Sequence, residues 1–130
     1  MNRVILCGRL AGRPKLAYTP GGVAVAEFRL LVSRDGPSSS NDPPDDPIDC
    51  VVFRDNATEL ATWGDVDYRV NLEGRLRLDR YWSLEGRNVE GLRVFADSTY
   101  FVDPIAVVLG AKPDRAPNVP LPVAIRPRRQ

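Results

Sequence analysis

The stretch IDCVVFRDNATELATWG, residues 48–64, decides how this chain folds. Its first half alternates. Ile48, Cys50 and Val52 point one way and Asp49, Val51 and Phe53 the other, as a strand with two faces of different character requires. The alternation then stops. Asn56-Ala-Thr-Glu59 has the form of a helix start, with Asn56 as cap and Glu59 three residues on, and Gly64 keeps the helix short.

Working outward, residues 2–10 read as a strand and Pro20-Gly21-Gly22 as a turn. Residues 23–33 form a longer strand, with Ala24, Ala26, Phe28, Leu30 and Val32 on one face and Glu27 and Arg29 on the other. DGPSSSNDPPDDP, residues 35–47, is too polar and proline-rich to pack and is expected as a mobile loop. On the far side of the helix, residues 68–82 form a long strand with Gly74 as a bend or bulge. SLEGRN turns the chain, and residues 92–102 make the last strand. Three strands, one helix and two strands is the order of an OB-fold. The expected fold is therefore all-β, a five-stranded Greek-key barrel with one short helix between strands 3 and 4. The barrel takes residues 1–104, and residues 105–130 make a Pro-rich, basic, extended tail.

The 130 residues suffice for one core. No run is long enough for a membrane span and no signal segment precedes the first strand, so a cytoplasmic protein without membrane contact is expected. With no histidine, ordinary zinc sites and most acid-base machinery are excluded, and Cys7 and Cys50 read as reduced, buried thiols. Neither a metal nor any other cofactor is expected. The net charge of +1 hides a segregated distribution. Residues 1–34 hold Arg3, Arg9, Arg13, Lys15, Arg29 and Arg34 against Glu27 alone, whereas residues 35–67 hold nine acids against Arg54. Such a pattern gives a positive face beside an acidic loop.

MNRVILCGRL, Tyr18-Thr19-Pro20, GGVAVAEFRL, DCVVF, LEGRLR and VFADS occur in that order over about residues 1–103. In this ordered set the chain resembles the bacterial single-stranded DNA-binding (SSB) proteins. The resemblance implies an OB-fold that assembles, usually as a homotetramer, and coats single-stranded DNA without reading sequence or catalysing a reaction. Replication, recombination and repair are the settings it implies, with association to the nucleoid. Phe53 matches a base-stacking aromatic of the family and Tyr81 matches its stacking tryptophan. Trp82 is one residue away, and a slip would exchange the two. Arg3 and Arg77 match basic positions. Arg9, Arg13, Arg34, Arg54 and Arg80 are further candidates by charge and placement. The physics agrees, because a single-strand binder needs cations along the phosphates and rings on which bases stack. A core role for Phe53 and a structural one for Trp82 stand beside these readings, as does a merely solvated role for each arginine.

The departures have their own implications. Arg13-Pro14-Lys15 stands where the family usually carries Asp-Pro-Glu, and two commonly aromatic positions fall near Gly36 and Pro47. The acidic loop repels phosphate there. The chain ends RPRRQ instead of in an acidic, hydrophobic tip; this reads either as a specialised paralogue without the partners that such a tip recruits or as a truncated end. An assembly adaptor of the primosomal type, on the same fold with weak DNA binding, is the alternative. Asp42, Asp45 and Asp46 read as solvated acids and not as a metal cluster.

Overall fold

The computed structural model describes residues 1–34, 41 and 44–102. Its elements are β1 (Val4–Leu10), β2 (Lys15–Tyr18), β3 (Ala24–Ser33), β4 (Asp45–Phe53), α1 (Arg54–Trp63), β5 (Arg69–Trp82) and β6 (Asn88–Phe101). Hydrogen-bonded neighbours run β1-β5-β6-β4-β3-β2, and β1 also pairs with β3. That last pairing closes a barrel of β1, β3, β4, β6 and β5, in which β4 and β6 lie parallel and the other pairs antiparallel. This is the expected OB-fold. The sixth strand, β2, is an addition that the sequence reading passed over. Its four residues fold back on β3 through a turn closed by Thr19 N–H to Val23 O at 2.9 Å, with Gly22 at φ +85°.

The alternation seen in the sequence is the alternation of burial. Ala24, Ala26, Phe28 and Leu30 of β3 and Cys50 and Val52 of β4 enter the core, where Ala57, Leu60 and Ala61 of α1 plug the barrel end. Each large side chain so buried contributes about 1.5–3 kcal/mol. Gly74 is a bulge, as expected. The β5–β6 register shifts there, and a Cβ on Gly74 would lie 2.2 Å from the Phe95 carbonyl oxygen. Beyond it the β5–β6 hairpin carries Leu78 and Leu92 opposite one another and exposed.

Three expectations are corrected. The helix starts at Arg54 with Phe53 in the cap position and no side-chain cap bond. Arg54 turns the corner at φ +63°, which places Asn56 inside the first turn, where its amide reaches Asp97 O at 3.5 Å. Residues 45–47 belong to β4, paired with β3, and not to the loop. β6 pairs β4 only over Cys50–Val52, so Pro47 sits where one edge of β4 has no partner strand among the described residues, a place a sheet tolerates proline. Cys7 is exposed, because Leu6 takes the inward position of β1 beside it. The expected tail and residues 35–40 and 42–43 of the loop, including Asp42, lie outside the described residues.

Candidate nucleic-acid interface

The outer wall of the barrel over β3, β4, β6 and β5 carries a second apolar cluster, apart from the core. Val25, Val51 and Phe95 are buried there, with Phe53 packed half-exposed against them. Register explains the grouping: Val25 pairs with Phe53 across β3–β4, and Val51 with Phe95 across β4–β6. The Phe53 and Phe95 rings stack with centroids 6.2 Å apart and planes 27° from parallel. Phe53 ends its strand at the Arg54 corner, partly buried, with the exposed Arg54 next to it in the chain.

Cations lie over the same wall. The Arg77 guanidinium stands 4.5 Å from the Phe95 centroid, and that ring is 4% exposed beneath it. Arg93, its cross-strand partner, lies 4.4 Å over Tyr81 and 5.2 Å over Phe95. Arg93 is itself buried, with Asp79 at 3.3 Å and Glu27 at 3.7 Å, and its Nε has no hydrogen-bond partner. Tyr81 donates its hydroxyl to Asp49 Oδ2 at 2.9 Å, and Arg29 Nε donates to Asp49 Oδ1 at the same distance. Arg29 then reaches Glu85 in the turn between β5 and β6.

This network moves protons' affinities. Burial first, then the hydrogen bond to Asp49, pushes the Tyr81 phenol up to about 12. The protonated ring is the form the fold prefers. Its contribution is therefore complete below the ordinary tyrosine value of about 10 and lost as pH rises through about 12. An alkaline absorbance titration is expected to show a tyrosinate step near pH 12 that Tyr81→Phe removes.

The candidate residues separate into groups. Phe53, Arg77 and Tyr81 share the wall, and Arg54 borders it. Tyr81, however, is only 9% exposed, and Arg93 lies over its ring. Trp82 and Arg80 fall on the alternate positions of the hairpin. Trp82 is exposed on the side of Leu76 and Leu78, and Arg80 is paired with Glu90. Arg3 is paired with Glu73, Arg9 with both Asp45 and Asp67, Arg13 with Asp65 and Arg34 with Asp46. Among the described residues, only Arg54 and Arg77 of the candidate arginines have no carboxylate partner. Arg29, Arg93 and Phe95 were missed as members of the wall. The outward position of Arg29 on β3 was the one available signal for any of them.

The sequence pattern of the Single-strand binding protein family matches residues 1–102. The chain belongs to that family. It is 39% identical over 104 residues to the "Single-stranded DNA-binding protein" of Halalkalibacterium halodurans, an alignment covering 80% of this chain and 62% of that protein. It is 38% identical to "Single-stranded DNA-binding protein A" of Bacillus subtilis, covering 80% and 60%. The figures for "Single-stranded DNA-binding protein 2" of Listeria monocytogenes are 38%, 80% and 65%. The chain spans about three fifths of the length of the curated relatives it matches.

Proposed function

We propose that this chain binds single-stranded DNA without reading its sequence, as a homotetramer and without catalysing a reaction. The observation that carries the reading is Phe53, half-exposed and stacked on Phe95, with Arg77 and Arg54 beside it. The β3–β4 surface of this barrel is the face with which OB-folds take oligonucleotides. A ring there accepts any base, since every base has a π-face, and the arginines take phosphates while releasing counterions. The relatives' names point the same way, and they remove the ground for the adaptor alternative. Assembly is supported by Ile5, Leu78, Leu92 and Tyr100, large apolar side chains exposed outside the core that association would cover.

The test is fluorescence anisotropy with labelled oligo-dT and a mixed-sequence strand. Both are expected to bind alike in dilute salt. For about three neutralised phosphates, each contributing about 0.7 to the salt slope, a fourfold rise in salt weakens binding about 20-fold. Sedimentation of the same sample reports four subunits. Failure to bind in dilute buffer overturns the reading, and a monomer overturns only the assembly.

A further inference from the structure

We infer that Arg29 is a phosphate site on the strand path, and that the Glu85 carboxylate occupies it until a strand displaces it. The inference rests on the single-stranded DNA reading above and goes further, since it assigns a site and a plug to a residue pair. Arg29 lies on the outward row of β3 opposite Asp49 of β4. Its guanidinium is held from behind: Nε donates to Asp49 Oδ1 at 2.9 Å, and Asp49 is fixed in turn by the Tyr81 hydroxyl at 2.9 Å. The terminal edge faces outward. There Nη1 meets Glu85 Oε1 at 2.5 Å and Nη2 meets Glu85 Oε2 at 3.2 Å. Two parallel N–H to oxygen bonds from one guanidinium edge is the arrangement that arginine offers to carboxylate and phosphate alike. The carboxylate stands where two phosphate oxygens fit.

Position and exchangeability support the same conclusion. Arg29 is four residues along β3 from Val25, the partner of Phe53, or about 13 Å at strand spacing. A strand stacked on Phe53 and running along β3 reaches it. Glu85 sits in a tight turn closed by Ser83 N–H to Arg87 O at 2.7 Å and Gly86 N–H to Ser83 O at 2.9 Å. The Glu85 side chain is 46% exposed there against 25% for Arg29, so solvent and a competing phosphate reach the pair from the carboxylate side. Asp49 and Tyr81 keep the guanidinium aimed when Glu85 leaves. Opening the site therefore needs only a movement of the hairpin turn.

The experiment is a double-mutant cycle on the full chain with oligo-dT as ligand, using Glu85→Gln, Arg29→Gln and both together. Glutamine keeps the size of the glutamate but removes its charge and offers the guanidinium one acceptor oxygen where the carboxylate offered two. Glu85→Gln is expected to tighten binding about 3- to 10-fold in dilute salt. The salt slope stays that of the wild type, because the same phosphate meets Arg29 in both complexes, whereas Arg29→Gln lowers it by about 0.7, one phosphate fewer. Arg29→Gln weakens binding, and in its background Glu85→Gln gives no gain. Thermal melts confirm that each variant is folded. A wild type that binds, with Glu85→Gln unchanged or with the gain persisting without Arg29, overturns the plug and leaves the binding reading intact. If wild type and Glu85→Gln both ignore the strand, the binding reading falls and the plug with it.

Discussion

Phe53→Leu weakens the binding of oligo-dT by about 5- to 150-fold, the range that corresponds to about 1–3 kcal/mol for one lost base stack. Leucine is chosen because the position has two duties. One is to cover Val25, Val51 and Phe95, which any apolar side chain of similar volume does. The other is to offer a flat π-face, which only an aromatic does. A volume-conserving apolar exchange costs less than about 1.5 kcal/mol of stability, so the fold persists while the stacking platform disappears. Anisotropy and a thermal melt on the same samples separate the two effects. Phe53→Tyr and Phe53→Trp retain a face and are expected to keep most of the affinity. Unchanged binding by a folded Phe53→Leu protein would show that bases do not stack there.

The parts of this site that sequence revealed are those that depend on a single strand's own period. Phe53 faces outward because Cys50 and Val52 face inward, and that is legible from residues 48–53 of β4. Gly74 was legible because a glycine inside a strand often marks a bulge, a bend or a close backbone approach. The parts that stayed hidden depend on which strands meet. Phe95 lies under Phe53 only through the parallel pairing of β4 with β6, a contact between distant segments that no local period encodes. Tyr81 was placed on the correct face of β5, but Arg93 crosses from β6 to cover it, and the register of that hairpin decides the covering. The arginines show the same limit. Arg9 looked like a phosphate ligand beside an acidic loop, yet Asp45 of that loop is folded into β4 and, with Asp67, clamps it. Charge sums from a sequence cannot tell a cation facing solvent from one already paired.

Arg93→Met is expected to destabilise the fold by about 3–5 kcal/mol, the cost of removing the guanidinium that neutralises a largely buried carboxylate. The side chain of Arg93 is 7% exposed and that of Asp79 10%, so Asp79 cannot recover by turning to water what it loses. Glu27, at 28%, is the more solvated of the two acids and suffers less. Methionine occupies much of the same volume between Tyr81 and Phe95, so the loss is electrostatic and leaves little cavity behind. The pairing with Asp79 can then be tested by repair. Asp79→Leu added to Arg93→Met removes the stranded charge and should return much of the stability, since a buried ion pair replaced by apolar groups is often neutral or better. Urea unfolding of the wild type and the single and double variants measures this, provided the slopes agree. A single variant that unfolds at the wild-type midpoint would mean that Arg93 is held by nothing it neutralises. The stranded Nε sharpens the point: burying a guanidinium with one N–H unpaired is costly. Arg93 is tolerated because it neutralises two acids while supporting the rings of Tyr81 and Phe95 behind Phe53. On that account Arg93→Met should also loosen the platform under Phe53 and lower oligo-dT affinity, although Arg93 itself is too buried to touch a strand.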